Sequence, residues 1–368
     1  MSKGFRRSAV VAALAFAGLA PAAIAQTTYP SVKVTGRLQE QFYYFKDDDN
    51  VVSGPESNFF TRRARIEAKG QIAENVYFVI QPSFEGGRTI TGTTTLRGGV
   101  RLRDAYIDVR LTKPESKTSF TLRAGQEKRP FGRYELTSST NLPSIERGAG
   151  NGLVGSASNN LFEGNGFLSH DVGAAILVAS KLDDTRAVTL QLGAYNGQGE
   201  SVSDVNNGKS FGARATVGVT PKLNVGASFF SHDGIVGTDS SYRNKAFGFD
   251  AAWSKPGEPG LYLVGDYMGG ESAADNKVRI RGISLIGAYN IRMTSPTSLL
   301  YAIEPAVRFD SSDPNTDVAD NATTLVTAVL GLYFNSKTQF RIAYETQNPQ
   351  AAGLSTISGV RTGLAVNF

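Results

Sequence analysis

The chain contains no cysteine and only two histidines, His170 and His232, among 368 residues. Without cysteine, thiol catalysis, a disulfide scaffold and Cys-ligated zinc are excluded. Two histidines leave little material for a His-based triad or a His-rich metal centre. Beyond residue 25 no apolar run approaches the roughly 20 residues that a membrane helix requires, and long stretches of helical period are missing. One membrane-spanning solution survives these absences. The strands of a closed barrel need only alternate residues to be apolar.

The first residues read as a secretory signal peptide. Lys3, Arg6 and Arg7 precede the apolar stretch Ala9–Ala20, and Ala23-Ile24-Ala25 places small residues before a cleavage point at Gln26. Twelve apolar residues are too few to cross a bilayer as a helix. Residues 1–25 are therefore expected to be removed, leaving 26–368 as one domain. Loss of three cations takes Lys and Arg from 38 to 35 against 33 acids, a net charge of +2. Net charge alone thus points to no nucleic acid or other anionic macromolecule.

What remains is a series of period-2 segments. Sixteen strands are expected at about 32–45, 58–71, 75–85, 100–111, 119–127, 171–180, 187–196, 210–220, 223–232, 242–254, 261–269, 278–290, 298–309, 322–335, 337–346 and 355–368. Their connections alternate in length. Long polar ones such as Lys46–Ser57 and Gly197–Lys209 take turns with short ones such as Ile72–Glu74, Pro221–Lys222 and the single Ser336. This parity is that of an all-β transmembrane antiparallel up-and-down β-barrel, with short periplasmic turns and long outer loops. In the last strand Val360, Thr362, Leu364, Val366 and Phe368 share one face. That ending resembles the C-terminal signal read by the bacterial barrel-assembly machinery.

With lipid outside, the apolar set of each strand faces out and the polar set faces the lumen, because unpaired charge at mid-depth costs about 2–4 kcal/mol. Val34, Leu38, Phe42, Phe60, Ala64, Ile66, Phe340, Ile342 and Tyr344 are placed outward. Arg37, Arg63, Arg65, Lys69, Arg110, Arg123, Arg214, Arg308, Arg341 and Arg361 are placed inward, with Glu67, Asp104, Asp108, Asp250, Glu304 and Glu345. An arginine surplus in a narrow passage favours anions. The alternative is that these arginines only pair with lumen acids, and spacing does not choose between the two. Arg62 and Arg103 fall on lipid parity, which requires a rim position or a bulge. Pro82 and Pro305 each remove a ladder donor and suggest bulges or bends. The twelfth and fourteenth segments are apolar on both faces, as contact with a second subunit or a plug would require.

The connection Lys128–His170 is far longer than an ordinary loop and is expected to fold into the lumen. Around it lie Phe59-Phe60-Thr61-Arg62-Arg63-Ala64-Arg65-Ile66, Asp104-Ala105-Tyr106-Ile107, Gly125-Gln126-Glu127-Lys128-Arg129-Pro130-Phe131, Glu135-Leu136-Thr137-Ser138-Ser139 and Ile145-Glu146-Arg147. As an ordered set these resemble the phosphate-selective porin O and P family, with Glu127 and Arg129 departing from its pattern. The resemblance implies a sixteen-stranded trimeric outer-membrane barrel with an inward third loop and a basic, hydroxyl-lined route for small anions. By that resemblance Arg62 and Arg63 match paired arginines, Lys128 matches the lysine before Pro-Phe, and Ser138 and Ser139 match the hydroxyl pair of the constriction. Outer-membrane lipid, lipopolysaccharide and the assembly machinery (through Phe368) are the expected partners. No cofactor is expected.

Other chemistry is poorly represented. Gly150-Asn151-Gly152-Leu153-Val154-Gly155 matches a GxGxxG string, but neither follows a clear strand nor opens a helix. Asp313-x-Asn315-x-Asp317 matches the start of a calcium loop but lacks its glycine. The enzyme alternative is a barrel hydrolase using serine with His170 or His232, for which no Gly-x-Ser-x-Gly elbow is present. A structural or adhesin barrel is the third class.

Overall fold

The computed structural model describes residues 29–46, 56–85, 89–91, 94–96, 100–153, 156–236, 240–273, 277–295 and 298–368. The expected signal peptide and the Asp47-Asp48-Asp49 run lie outside these residues. Strands β1 (Ser31–Phe45), β2 (Ser57–Ala73) and β3 (Val76–Ser83) are followed by a separate hairpin of β4 (Thr89–Thr91) and β5 (Thr94–Leu96). Then come β6 (Arg101–Arg110), β7 (Thr118–Lys128), β8 (His170–Lys181), β9 (Ala187–Tyr195), β10 (Ser210–Gly218) and β11 (Leu223–Val236). The chain finishes with β12 (Ser240–Trp253), β13 (Gly260–Glu271), β14 (Arg279–Arg292), β15 (Ala302–Asp313), β16 (Thr323–Tyr333), β17 (Thr338–Pro349) and β18 (Ile357–Asn367). All but β4 and β5 pair with their sequence neighbours, and β18 pairs with β1, closing one antiparallel barrel of sixteen strands. At the seam the backbones of Gly36 and Phe368 exchange hydrogen bonds of 2.9 and 3.0 Å.

Alternation sorts the faces as the period-2 pattern requires. In β17, Gln339, Arg341, Glu345 and Gln347 are buried inside, whereas Ile342 and Tyr344 are exposed outside. Around the ring the outer wall is Leu38, Leu190, Leu192, Phe247, Phe249, Leu285, Val307 and Val326. An apolar surface encircling a whole molecule is stable only against hydrocarbon.

Two bulges change which face some residues take. Gln39 pairs with Arg63 and Glu40 with Thr61, so Arg62 is the extra residue and turns inward beside Arg63. The same shift brings Phe60 inward against Tyr43, not outward as its parity implied. Between β3 and β6, Gln81 opposes both Arg103 and Asp104, which puts Arg103 in the lumen and Pro82 at the irregularity. Pro305 causes no shift: Ala288↔Ala306 and Ile291↔Ile303 keep one register, and the ladder merely skips the pairs between them. The thirteenth barrel strand lies later than expected, at Ala302–Asp313 instead of 298–309. Leu299, inside the expected span, is exposed in the turn before the strand.

The apolar inner faces of β14 and β16 have a covering. Ile286, Ala288 and Val329 pack with Tyr134, Leu142 and Ile145 of the segment between β7 and β8, in a cluster that continues over β12, β13, β15 and β17. A second cluster joins Phe131, Phe162, Phe167 and Leu168 of that segment to Tyr195, Phe230, Met268 and Ile280. A third joins Leu153 and Ala157 to Phe45, Leu325 and Ile357. The segment includes two short helices, α1 (Arg133–Leu136) and α2 (Ser158–Gly164).

Candidate functional site

The segment between β7 and β8 bonds to inward-facing groups on strands from all sides of the ring. Glu146 is its main anchor. It accepts from Arg62 at 2.7 and 2.9 Å and from Gln41 at 2.7 Å, with Arg63 3.6 Å away. Arg133 donates to Asp250 of β12 at 2.5 Å, and the Tyr134 amide donates to Asp266 of β13 at 3.0 Å. Ser158 donates to Asp310 of β15 through its amide and hydroxyl, at 2.5 and 2.8 Å. Arg361 of β18 donates to the Asn151 carbonyl at 2.9 Å.

Fully burying a Phe or Leu stabilises by about 1.5–3 kcal/mol, whereas the attraction within a buried ion pair is largely offset by desolvation. The three apolar clusters therefore hold the segment in place, and the ion pairs fix its register. Burial would push the carboxyls of Glu135 and Glu146 up, but their cations outweigh it. Lys128 and Arg147 hold Glu135 down to about 2. Arg62 and Arg63 hold Glu146 well below the usual carboxylate range.

Three cavities of about 490, 520 and 360 Å³ meet at Thr137–Asn141 of the segment, towards the short-turn end of the barrel. The first is basic. Arg37, Arg65, Lys69, Arg103, Lys128 and Arg147 line it against only two carboxylates, Glu67 and Asp104, with Ser138, Ser139 and Thr140 facing them. The second is edged by hydroxyls, among them Thr189, Thr216 and Thr220. The third holds Arg292, Tyr301, Tyr333 and Lys337 with no acid.

Most of the arginines expected in the lumen are neutralised by neighbours. Arg65 pairs with Glu85, and Lys69 with Glu67 at 2.9 Å. Arg123 takes both oxygens of Asp108 at 2.7 Å and Glu127 at 2.8 Å. Lys128 pairs with Glu135 at 2.9 Å, Arg214 with Asp250 at 2.7 Å, Arg308 with Asp310 at 2.7 Å and Arg361 with Glu345 at 3.0 Å. Three differ. Arg110 sits at the short-turn rim, donating to the Pro114 carbonyl at 3.2 Å, and lines none of the cavities. Arg341 donates to the Tyr333 hydroxyl at 3.0 Å. Arg37 is 5% exposed and donates to the Ser139 hydroxyl at 3.2 Å. No carboxylate pairs with Arg37 or Arg341 among the described residues.

The family resemblance alone implied Ser138 and Ser139 at the constriction, and both border the basic cavity, Ser139 on Arg37 itself. Neither the resemblance nor strand parity singled out Arg103 and Arg147 as lining it. A bulge hides the first, and the second lies in a loop, where strand parity gives no signal. The departing residues have local partners: Glu127 accepts from Arg123 and from Tyr195 at 2.9 Å, and Arg129 donates to Asp171 at 2.8 Å. The serine and histidine closest to a hydrolytic pair, Ser210 and His232, stand 3.4 Å apart. Both are buried, and neither lines any of the three cavities. No cluster of metal-ligating side chains occurs among the described residues.

A closed barrel, apolar outside and charged within, is the architecture of an outer-membrane channel. The model of the family "Phosphate-selective porin O and P" matches residues 32–278. The chain belongs to that family and is a porin of the outer membrane. Solved structures of similar fold include the anion-selective porin from Comamonas acidovorans, with 11% identity and a TM-score of 0.61 over 92% of this chain and 100% of that one. OmpF of Salmonella typhi in complex with daunomycin gives 12% and 0.61 over 92% and 97%. The outer membrane channel DcaP of Acinetobacter baumannii gives 14% and 0.57 over 92% and 97%. At these identities the likeness is one of fold. No curated protein sequence matches significantly.

Proposed function

We propose that this porin passes small hydrophilic anions in preference to cations and neutral solutes, and that oxyanions of the phosphate type dwell at Arg37. The observation that carries this is the Arg37 guanidinium, buried with no carboxylate partner among the described residues and aimed at the Ser139 hydroxyl, in a cavity whose other cations, Arg65, Lys69, Arg103, Lys128 and Arg147, are each paired with an acid. A guanidinium whose donors are not taken up by protein acids keeps them for a solute, and its planar fork fits two oxygens of an oxyanion. The segment between β7 and β8 is the constriction, since it narrows a barrel otherwise wide enough for water. On this reading the chain is a channel and not a hydrolase. It is exported by cleavage of residues 1–25, assembled through Phe368, surrounded by lipopolysaccharide, and forms a homotrimer.

Inorganic phosphate added to a chloride bath tests the reading. Phosphate that lingers at Arg37 lowers the chloride current of the wild type in planar bilayers. Arg37→Gln removes this inhibition, whereas Arg123→Gln, at an acid-paired arginine, keeps it. Equal inhibition in all three proteins would contradict the assignment.

A further inference from the structure

The third cavity, of about 360 Å³, does not include Arg37 and lies against β14–β17 and the turn after β12. On its wall the Arg292 guanidinium carbon stands 4.0 Å from the centre of the Tyr301 ring. Stacking of this kind occupies the face of a guanidinium and leaves its N–H groups, which lie in the plane, free to bond. Nη2 donates to the Gly257 carbonyl at 2.8 Å, whereas Nη1 is buried with no partner among the described residues. Lys337 joins the wall from the turn between β16 and β17. Neither cation has an acid partner among the described residues.

Two amides on the same wall are also incomplete. Asn290 is 5% exposed and gives its Nδ2 to Glu304 at 2.9 Å, which fixes the amide and leaves Oδ1 buried with no donor among the described residues. Gln339 is 3% exposed, and its Nε2 has no acceptor among the described residues. Glu304 does not line the cavity, and its other oxygen accepts from the Tyr333 hydroxyl at 2.8 Å. Buried polar groups are ordinarily satisfied, so two donors and one acceptor left open around one space are the complement of a solute. Water can meet each of them singly but gains nothing from the rings of Tyr301 and Tyr333 beside them.

We propose that this cavity is a second solute site of the lumen, for small planar organic anions that carry both a carboxylate and a hydroxyl, of the hydroxybenzoate type. The carboxylate meets Arg292 Nη1 and Lys337. The hydroxyl donates to Asn290 Oδ1 and accepts from Gln339 Nε2, and the ring lies along Tyr301 and Tyr333. An inorganic oxyanion uses the cations and leaves the rings without a partner; a neutral polyol uses the amides and leaves the cations without one. The volume is that of a small-molecule site, and aromatic flanks with a few convergent polar groups are what such sites contain. Arg37 takes no part in it, so the site stands or falls apart from phosphate at Arg37.

Ligand-observed saturation-transfer NMR on the full chain folded in detergent tests this without any current. 4-Hydroxybenzoate is expected to bind saturably, and benzoate, which lacks the hydroxyl, several-fold more weakly. Arg292→Gln and Gln339→Leu are each expected to weaken 4-hydroxybenzoate about tenfold, as loss of one well-made polar contact does, and Arg37→Gln to leave it unchanged. Heat-shifted gel mobility shows which variants fold, and Tyr301→Leu, at an exposed ring, serves if Gln339→Leu does not. Inorganic phosphate that displaces 4-hydroxybenzoate at equal concentration would make the cavity a plain anion site and overturn the proposal. Binding lost in Arg37→Gln, or kept in both Arg292→Gln and Tyr301→Leu, would overturn it as well, as would no binding to the wild type. A protein that binds 4-hydroxybenzoate through Arg292 yet conducts no chloride would contradict only the porin reading.

Discussion

Arg37 and Arg123 are the same residue type on the same inner surface, yet their surroundings give them different work. Arg123 is held by two carboxylates and stacked on Tyr106 at 3.7 Å, whereas Arg37 faces a hydroxyl. Counting lumen arginines therefore overstates the field available to a solute, and the unpaired ones decide it. Glu146 is the converse case, an acid whose removal would strand Arg62 and Arg63 side by side. Removing one partner of a buried ion pair costs about 3–5 kcal/mol. Glu146→Gln is accordingly expected to loosen residues 129–169, read as faster cleavage by an added protease and noisier single-channel currents. Unchanged cleavage and noise would show that apolar packing alone suffices. The pairing itself was hidden from the sequence because Arg62 and Glu146 are 84 residues apart and nothing local joins them.

Among the elements, the strands were the readable part, because alternation between lipid and water repeats in every one of them. Bulges were not. A single inserted residue moves its neighbours to the other face without altering composition, which is how Arg62, Arg103 and Phe60 came to stand inside. The long segment was recognisable by length, and its seating only by contacts with distant strands. Its charged anchors give it a pH dependence. Glu135 and Glu146 have folded-state values below their ordinary 4.5. Their contribution is thus complete above about pH 4.5 and is lost progressively as the pH falls, that of Glu135 towards about 2 and that of Glu146 lower still. Single-channel currents are expected to be steady at neutral pH and to fluctuate increasingly below about pH 4. Currents equally steady at about pH 3 would contradict this. At the seam, a Cβ on Gly36 would fall within the ring of Phe368 and 2.9 Å from the Arg65 carbonyl. Gly36→Leu is predicted to reduce the yield of heat-modifiable barrel several-fold, and a wild-type yield would argue against a tight closure there.

For the molecule as a whole, net charge proved a weak guide, since acids and bases are sorted by place. The inner surface is uneven. A basic wall on β1, β2, β6 and β7 stands opposite an apolar wall on β13–β16, against which the long segment lies. On the proposed function, a solute passing the short-turn end is steered towards one side, to Arg37 and the hydroxyls of Ser138–Thr140. Anion preference requires that side to be open to water and net positive. Its most direct test is the zero-current potential of the purified protein in a planar bilayer under a tenfold gradient of potassium chloride. Chloride preference drives the potential to the sign set by the anion, and Arg37→Gln moves it towards zero. A potential of the opposite sign, or no conductance at all, would contradict the account.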